Sequence, residues 1–145
     1  MTRGRALKCP SARPEMEGAQ LLGVLQPDGG GRRMAYVAGH VPMSGEIAAA
    51  AAPLPPTTVM RFAAPCATSA CRHFEGGSCR LAGRVVERMA PAVRKLPACA
   101  IRVDCRWHAQ EGDAACLRCP QIATDNPEPD AELRAVAMGE VAGSA

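Results

Sequence analysis

Cys66-Ala-Thr-Ser-Ala-Cys71-Arg-His-Phe-Glu-Gly-Gly-Ser-Cys79 opens a stretch of 54 residues, and Cys116-Leu-Arg-Cys119-Pro120 closes it. Seven of the chain's eight cysteines lie inside it, with Cys99 and Cys105 between the two quoted pieces. The eighth, Cys9, stands alone before Pro10. A packed core rarely calls for so many thiols in so short a span, so the stretch reads as a cysteine-ligated metal module. The rest of the chain is read around it.

Composition supports a staple of this kind. The chain has 145 residues, enough for one domain with tails. Much of its 48% hydrophobic content is alanine, and Tyr36, Phe62, Phe74 and Trp107 are its only aromatic residues. At roughly 25 cal/mol per Å2 of apolar surface, an alanine-rich core gains less on burial than a leucine-rich one. Small cores of that type are stapled by disulfides or by metal. The N-terminus carries charge with no apolar segment behind it, and no run approaches the ~18 apolar residues that span a membrane. A cytoplasmic protein without a membrane segment is therefore expected, and in a reducing cytosol clustered cysteines bind metal more often than they pair.

Outward from the module, the chain divides into four parts. Residues 1–18, interrupted by Pro10, Pro14 and Gly18, read as an irregular segment carrying Cys9. Residues 19–63 read as β-rich. Apolar runs at 20–25 and 34–38 flank Pro27-Asp-Gly-Gly-Gly31 as a hairpin with a long loop. Ser44 caps a short helix over 45–52, ended by Pro53, Pro55 and Pro56, and Thr57–Ala63 alternates as a third strand. Residues 64–120 form the metal module, in which Leu81, Val85 and Met89 share one face of a helix over 80–90. A brief extended piece is expected at Ile101 and Val103, and Asp113 is placed to cap a turn through Arg118. Residues 121–145 read as an acidic, mobile tail with a short helix near 131–138. The fold class is α+β: a small N-terminal antiparallel sheet followed by a cysteine-rich helical and loop module.

The spacings are C-x4-C-x7-C, then a gap of nineteen residues, then C-x5-C-x10-C-x2-C-P. A C-x2-C pair sets two thiolates on one side of a tight turn and serves zinc and iron–sulfur sites alike. Zinc ribbons use two such knuckles; here there is one, and the remaining intervals are wider. A cubane cluster accepts ligands from separate loops, so one or two [4Fe–4S] clusters are preferred, with zinc as the alternative. Eight cysteines also split at the gap into Cys9, Cys66, Cys71 and Cys79, and Cys99, Cys105, Cys116 and Cys119. That division needs the N-terminal segment folded back onto the module.

His73 and His108 are secondary candidates for a mixed ligand set, with orientation or hydrogen bonding as their simpler role. His40 is a loop residue with no partner in view, and Trp107 is the expected packing residue that shields the site. No catalytic constellation is found: Glu111 and Asp113 read as exposed acids, and the Cys-x3-Cys-x2-Cys and Cys-x-x-Cys-His motifs of radical and haem proteins are absent. The pieces Arg61-Phe-Ala-Ala-Pro-Cys66, Cys71–Cys79, Cys105-Arg-Trp-His-Ala-Gln-Glu-Gly112 and Ala115-Cys-Leu-Arg-Cys-Pro120 resemble small cysteine-rich bacterial proteins, some of which carry a nitrogen-fixation label. The resemblance extends over residues 9–125. It implies a free-standing bacterial module and carries no activity of its own.

Charge narrows the choice of partner. Residues 61–119 hold ten Lys and Arg against five Asp and Glu, while residues 120–145 hold one Arg against five acids. A basic surround offsets thiolate charge and favours an acidic partner. The first expectation is an iron–sulfur protein that transfers electrons or serves a redox enzyme. The second is a zinc-stabilised module that binds an acidic protein or nucleic acid through Arg72, Arg80, Arg84, Arg88, Arg94 and Lys95. Scarce aromatics make base stacking the weaker mode. A thiol redox sensor is the third.

Overall fold

The computed structural model describes residues 7–28, 31–124 and 136. It is α+β: a four-stranded antiparallel sheet in the first half, followed by short helices and loops. Strands β2 (Gln20–Asp28) and β3 (Gly31–Pro42) form the expected hairpin, paired from Gln20↔Pro42 to Asp28↔Gly31. The strands run further into the glycine-rich turn than the apolar runs alone suggest. Strand β4 (Met60–Pro65) pairs with β2 on one side and with β1 (Lys8–Ala12) on the other, giving the order β1-β4-β2-β3.

Two elements depart from the sequence reading. Residues 8–12, expected to be irregular, form β1. An edge strand with one neighbour tolerates Pro10, because a missing N–H there removes no ladder bond on the open side. The expected strand at Thr57–Ala63 begins instead with a single helical turn, α2 (Pro56–Val59), and becomes extended only at Met60. Pro56 suits the first turn of a helix, where its missing N–H would have no partner. Helix α1 (Gly45–Ala51) starts as expected, with Ser44 Oγ accepting from the Ile47 amide at 3.4 Å.

The sheet is covered on both faces. Met60 and Phe62 pack with Ile47 and Ala51 of α1, while Ala63 joins Leu22, Leu25 and Met34 against Leu81, Val85, Ile101 and Trp107 of the module. Alternation along β4 thus sends Met60 and Phe62 one way and Arg61 and Ala63 the other. Gly23 lies in register with Arg61 on one side and Tyr36 on the other, at a bulge in both pairings. A Cβ there would meet Met34 Cγ and lie 2.7 Å from the Ala35 carbonyl oxygen. The backbone oxygen cannot swing aside, so Gly23→Ala should destabilise by about 1–3 kcal/mol, the usual range for overpacking. Denaturant titration measures it, and a change within error would mean that β2 and β3 separate freely.

The module begins with a two-residue hairpin, β5 (Phe74–Glu75) and β6 (Ser78–Cys79), turned at Gly76 and Gly77, whose φ values are 63° and 84°. Helix α3 (Arg80–Arg88) follows and buries Leu81 and Val85, with Met89 buried at its end. The extended piece expected at Ile101 and Val103 is a 3-10 turn over Arg102–Asp104 that buries Ile101 and exposes Val103. Helices α4 (Arg106–Glu111) and α5 (Asp113–Arg118) meet at Gly112, whose φ of 72° favours glycine. Asp113 is the first residue of α5 and caps nothing; its carboxylate accepts from His108 Nε2 at 3.0 Å. The tail reading of 121–145 lies outside the described residues beyond 124, except that Val136 is helical and buried. Among the described residues no helix is long and apolar enough to cross a membrane.

Candidate metal centre

The fold brings the eight thiols into two neighbourhoods of four, with the same membership as the two sets separated by the sequence gap. Pairing of β1 with β4 puts Cys9 opposite Ala64, two residues before Cys66, and the Cys66 amide donates to the Leu7 carbonyl at 2.8 Å. Burial, followed by the charges that Cys79, Cys66 and Cys71 would carry, pushes the Cys9 thiol up to about 11, partly offset by the Ser11 amide. In the second neighbourhood burial pushes Cys105 up to about 12, with Cys119 and Cys99 adding to the rise. Cys99 and Cys116 are raised by burial first, and each also by Cys119. Cys99, Cys105, Cys116 and Cys119 line one cavity together with Pro10, Leu22, Tyr36, Arg102, Trp107 and Ala115.

A backbone motif recurs at three of these thiols. In each, the sulfur accepts from the amide two residues ahead: Ser11 to Cys9, Thr68 to Cys66 and His73 to Cys71, all at 3.4 Å. Cys79 accepts from the Ala82 amide at 3.5 Å. A neutral thiol is a weak acceptor, whereas a thiolate gains from every N–H aimed at it. At Cys9 and Cys79 these amides lower the pKa, although burial outweighs them.

Side-chain cations gather at the second neighbourhood. Arg61 has no exposed surface; its Nη2 donates to Cys119 Sγ at 3.1 Å and its Nη1 to the Cys119 carbonyl at 2.5 Å. Nε and Nη2 hold the Pro10 carbonyl at 3.2 and 2.7 Å. Among the described residues no carboxylate pairs with it, although a buried cation without counter-charge is expensive. Burial works against the charge of Arg102, but the Cys116 and Cys99 thiolate charges leave its pKa above the ordinary value. Burial first, and then Cys119, raises the pKa of the Tyr36 hydroxyl. Trp107 is 1% exposed, and its Nε1 has no hydrogen-bond partner. A buried arginine facing sulfur and an orphaned indole N–H beside the same cavity are what a four-thiolate centre with anionic sulfur would satisfy.

The first neighbourhood is more open. Cys66 and Cys71 are partly exposed, and Arg84 lies near Cys79. Gln110 of α4 joins the two, accepting from the Cys79 amide at 2.7 Å and donating to the Cys79 carbonyl at 2.8 Å. A single bridge pairs Lys8, beside Cys9, with Cys105 at the start of the same helix. No cysteine is in a disulfide. Among the described residues no group of three or more His, Cys, Asp or Glu side chains is placed to hold a metal ion.

The histidines have other partners. His73 Nδ1 faces Arg84 Nη2 at 3.1 Å, and burial followed by the charges of Arg72 and Arg84 lowers its pKa. His108 is held by Asp113. His40, expected without a partner, lies on β3 with Nδ1 3.1 Å from Gln20 Nε2. The expected basic face is partly committed within the chain: Arg80 pairs with Glu75, Arg88 with Glu87, and Arg84 donates to the Val136 carbonyl. Arg61, Tyr36 and Gln110 are the functional candidates that the sequence did not single out. A clue exists for Arg61, a charge set between Met60 and Phe62 in a strand otherwise apolar from Val59 to Ala64.

Comparison of the chain with protein-family models, with curated proteins and with solved structures returns no match.

Proposed function

We propose that the protein is a small iron–sulfur electron carrier, or the electron-transferring accessory of a redox enzyme, with two four-cysteine centres. The observation that carries this reading is the gathering of eight thiols into two sets of four, the first met by backbone amides aimed at sulfur and the second lining one cavity, with Arg61 Nη2 on Cys119 Sγ. Such donors stabilise thiolate, the form that ligates metal, and tune cluster potential. Cys9, Cys66, Cys71 and Cys79 would hold one [4Fe–4S] cluster and Cys99, Cys105, Cys116 and Cys119 the other. Each cluster, when bound, takes up and releases one electron. The chain's own residues fix the sulfurs, keep water from the second centre with Trp107 and Tyr36, and supply positive charge through Arg61 and Arg102.

Four thiols lining one cavity, Cys99, Cys105, Cys116 and Cys119, suit a cluster of several iron atoms. The partly exposed first centre, with Arg72, Arg80 and Arg84 on its side of the chain, is the side for an acidic redox partner in a reducing compartment such as the cytoplasm. Metal and sulfide analysis of anaerobically purified protein tests the reading. About eight iron and eight sulfide per chain are expected, the content of two [4Fe–4S] clusters, with visible absorbance that bleaches on addition of dithionite. Colourless protein holding stoichiometric zinc would replace it with the zinc-stabilised module.

A further inference from the structure

Arg61 carries more than a structural tie would require. A cation with no exposed surface is normally matched by a carboxylate, yet every acceptor around this one is a carbonyl oxygen or the sulfur of Cys119. Each of its three nitrogens is engaged, so the guanidinium cannot turn its charge elsewhere.

We propose that Arg61 is the fixed counter-charge of the centre held by Cys99, Cys105, Cys116 and Cys119, and that it poises that centre at a higher reduction potential than it would otherwise have. The inference rests on the iron–sulfur reading above and adds a residue role and an asymmetry between the two centres. Reduction adds one negative charge to a centre, so a nearby positive charge stabilises the reduced form more than the oxidised form. The size of that preference depends on screening, and a charge sealed from water acts through a low effective dielectric. Arg61 meets both conditions, with its Nη2 3.1 Å from the Cys119 sulfur. The unpartnered Trp107 N–H on the same cavity acts in the same direction.

Among the described residues the other centre has no equivalent. Arg84, near Cys79, is partly exposed and spends its donors on the Val136 carbonyl and His73. Cys66 and Cys71 are partly exposed, so water screens charge near them. Arg61 should therefore act on one centre alone, which a purely architectural role would not do.

The test is a potentiometric titration of the anaerobically purified full chain, followed by electron paramagnetic resonance. Dithionite is the one-electron donor and is itself oxidised to sulfite. Wild type should show two one-electron transitions. In Arg61→Met, the transition belonging to the centre that Cys105→Ala abolishes should move to more negative potential, and the other should stay in place. Arg61→Lys, which keeps the charge, should restore most of the shift. Unchanged transitions in Arg61→Met, or equal movement of both, would overturn the proposal.

Should Arg61→Met fail to fold, wild-type protein labelled with 15N-arginine gives the answer. Electron–nuclear double resonance should detect an arginine nitrogen coupled to one reduced centre, and that coupling should be lost in identically labelled Arg61→Lys, which keeps Arg102 on the same cavity. Absence of that coupling also overturns the assignment. Protein without iron and sulfide fails earlier, at metal analysis, and would remove the iron–sulfur reading itself.

Discussion

Cys105→Ala, purified without oxygen, should carry about half the iron and sulfide of the wild type, and Cys9→Ala should lose the other half. The two changes remove one sulfur each, from opposite neighbourhoods of thiols. Cys105 sits at the N-terminus of α4, and without it the second centre keeps three of four thiols. Cys9 lies on β1 and owes its place to the pairing with β4. Because ligand binding is folding free energy in small metal domains, each variant should also unfold at lower temperature than wild type. The double variant should be empty. Iron, sulfide and protein determinations on the same samples settle the matter. Full iron in Cys9→Ala would detach the N-terminal strand from the metal chemistry. Complete loss in either single variant would mean that the eight sulfurs serve one shared site.

Trp107→Ala should be the most damaging change outside the cysteines. The indole is 1% exposed and belongs to the core that joins the sheet to the module. Truncating a buried tryptophan costs about 3–5 kcal/mol, a large part of the 5–15 kcal/mol that holds a typical domain together. For a chain of this size that corresponds to a fall in Tm of about 10 °C. A second effect separates shielding from packing. Trp107 lines the cavity of Cys99, Cys105, Cys116 and Cys119. On exposure to air the second centre should therefore bleach several-fold faster than in wild type, while the first keeps its rate. Equal acceleration of both would reduce Trp107 to a core residue.

Much of this arrangement was written locally in the sequence. The hairpin announced itself through Pro27-Asp-Gly-Gly, α1 through Ser44, and α3 through Leu81, Val85 and Met89, because each depends on residues within a few positions of one another. The gathering of the thiols was legible from cysteine density, and its division into two groups from the gap after Cys79. What escaped was set by distant contacts. Pro10 and Pro14 masked β1, since whether a proline is tolerated in a strand depends on which side of the sheet is open. Arg61 reads as a surface cation until both faces of β4 are known to be covered. Ile101 and Val103 have the spacing of a strand, yet a 3-10 turn separates their side chains just as well. His40 found Gln20 only because β2 and β3 pair in one register.

The N-terminal strand gives the two groups of thiols different histories within the chain. Those of the second span only 21 residues, Cys99 to Cys119, whereas those of the first span 71, from Cys9 to Cys79. The entropic cost of closing a loop grows slowly with its length, and here the closure also requires β1 to find β4 across the intervening hairpin. During synthesis Cys9 leaves the ribosome first and waits for Cys66, Cys71 and Cys79. The sheet must be in place before those four sulfurs can meet, and Arg61, on the same β4, joins the second group in the same event. Sheet closure is thus the step at which scattered thiols along a nascent chain become two defined groups of four.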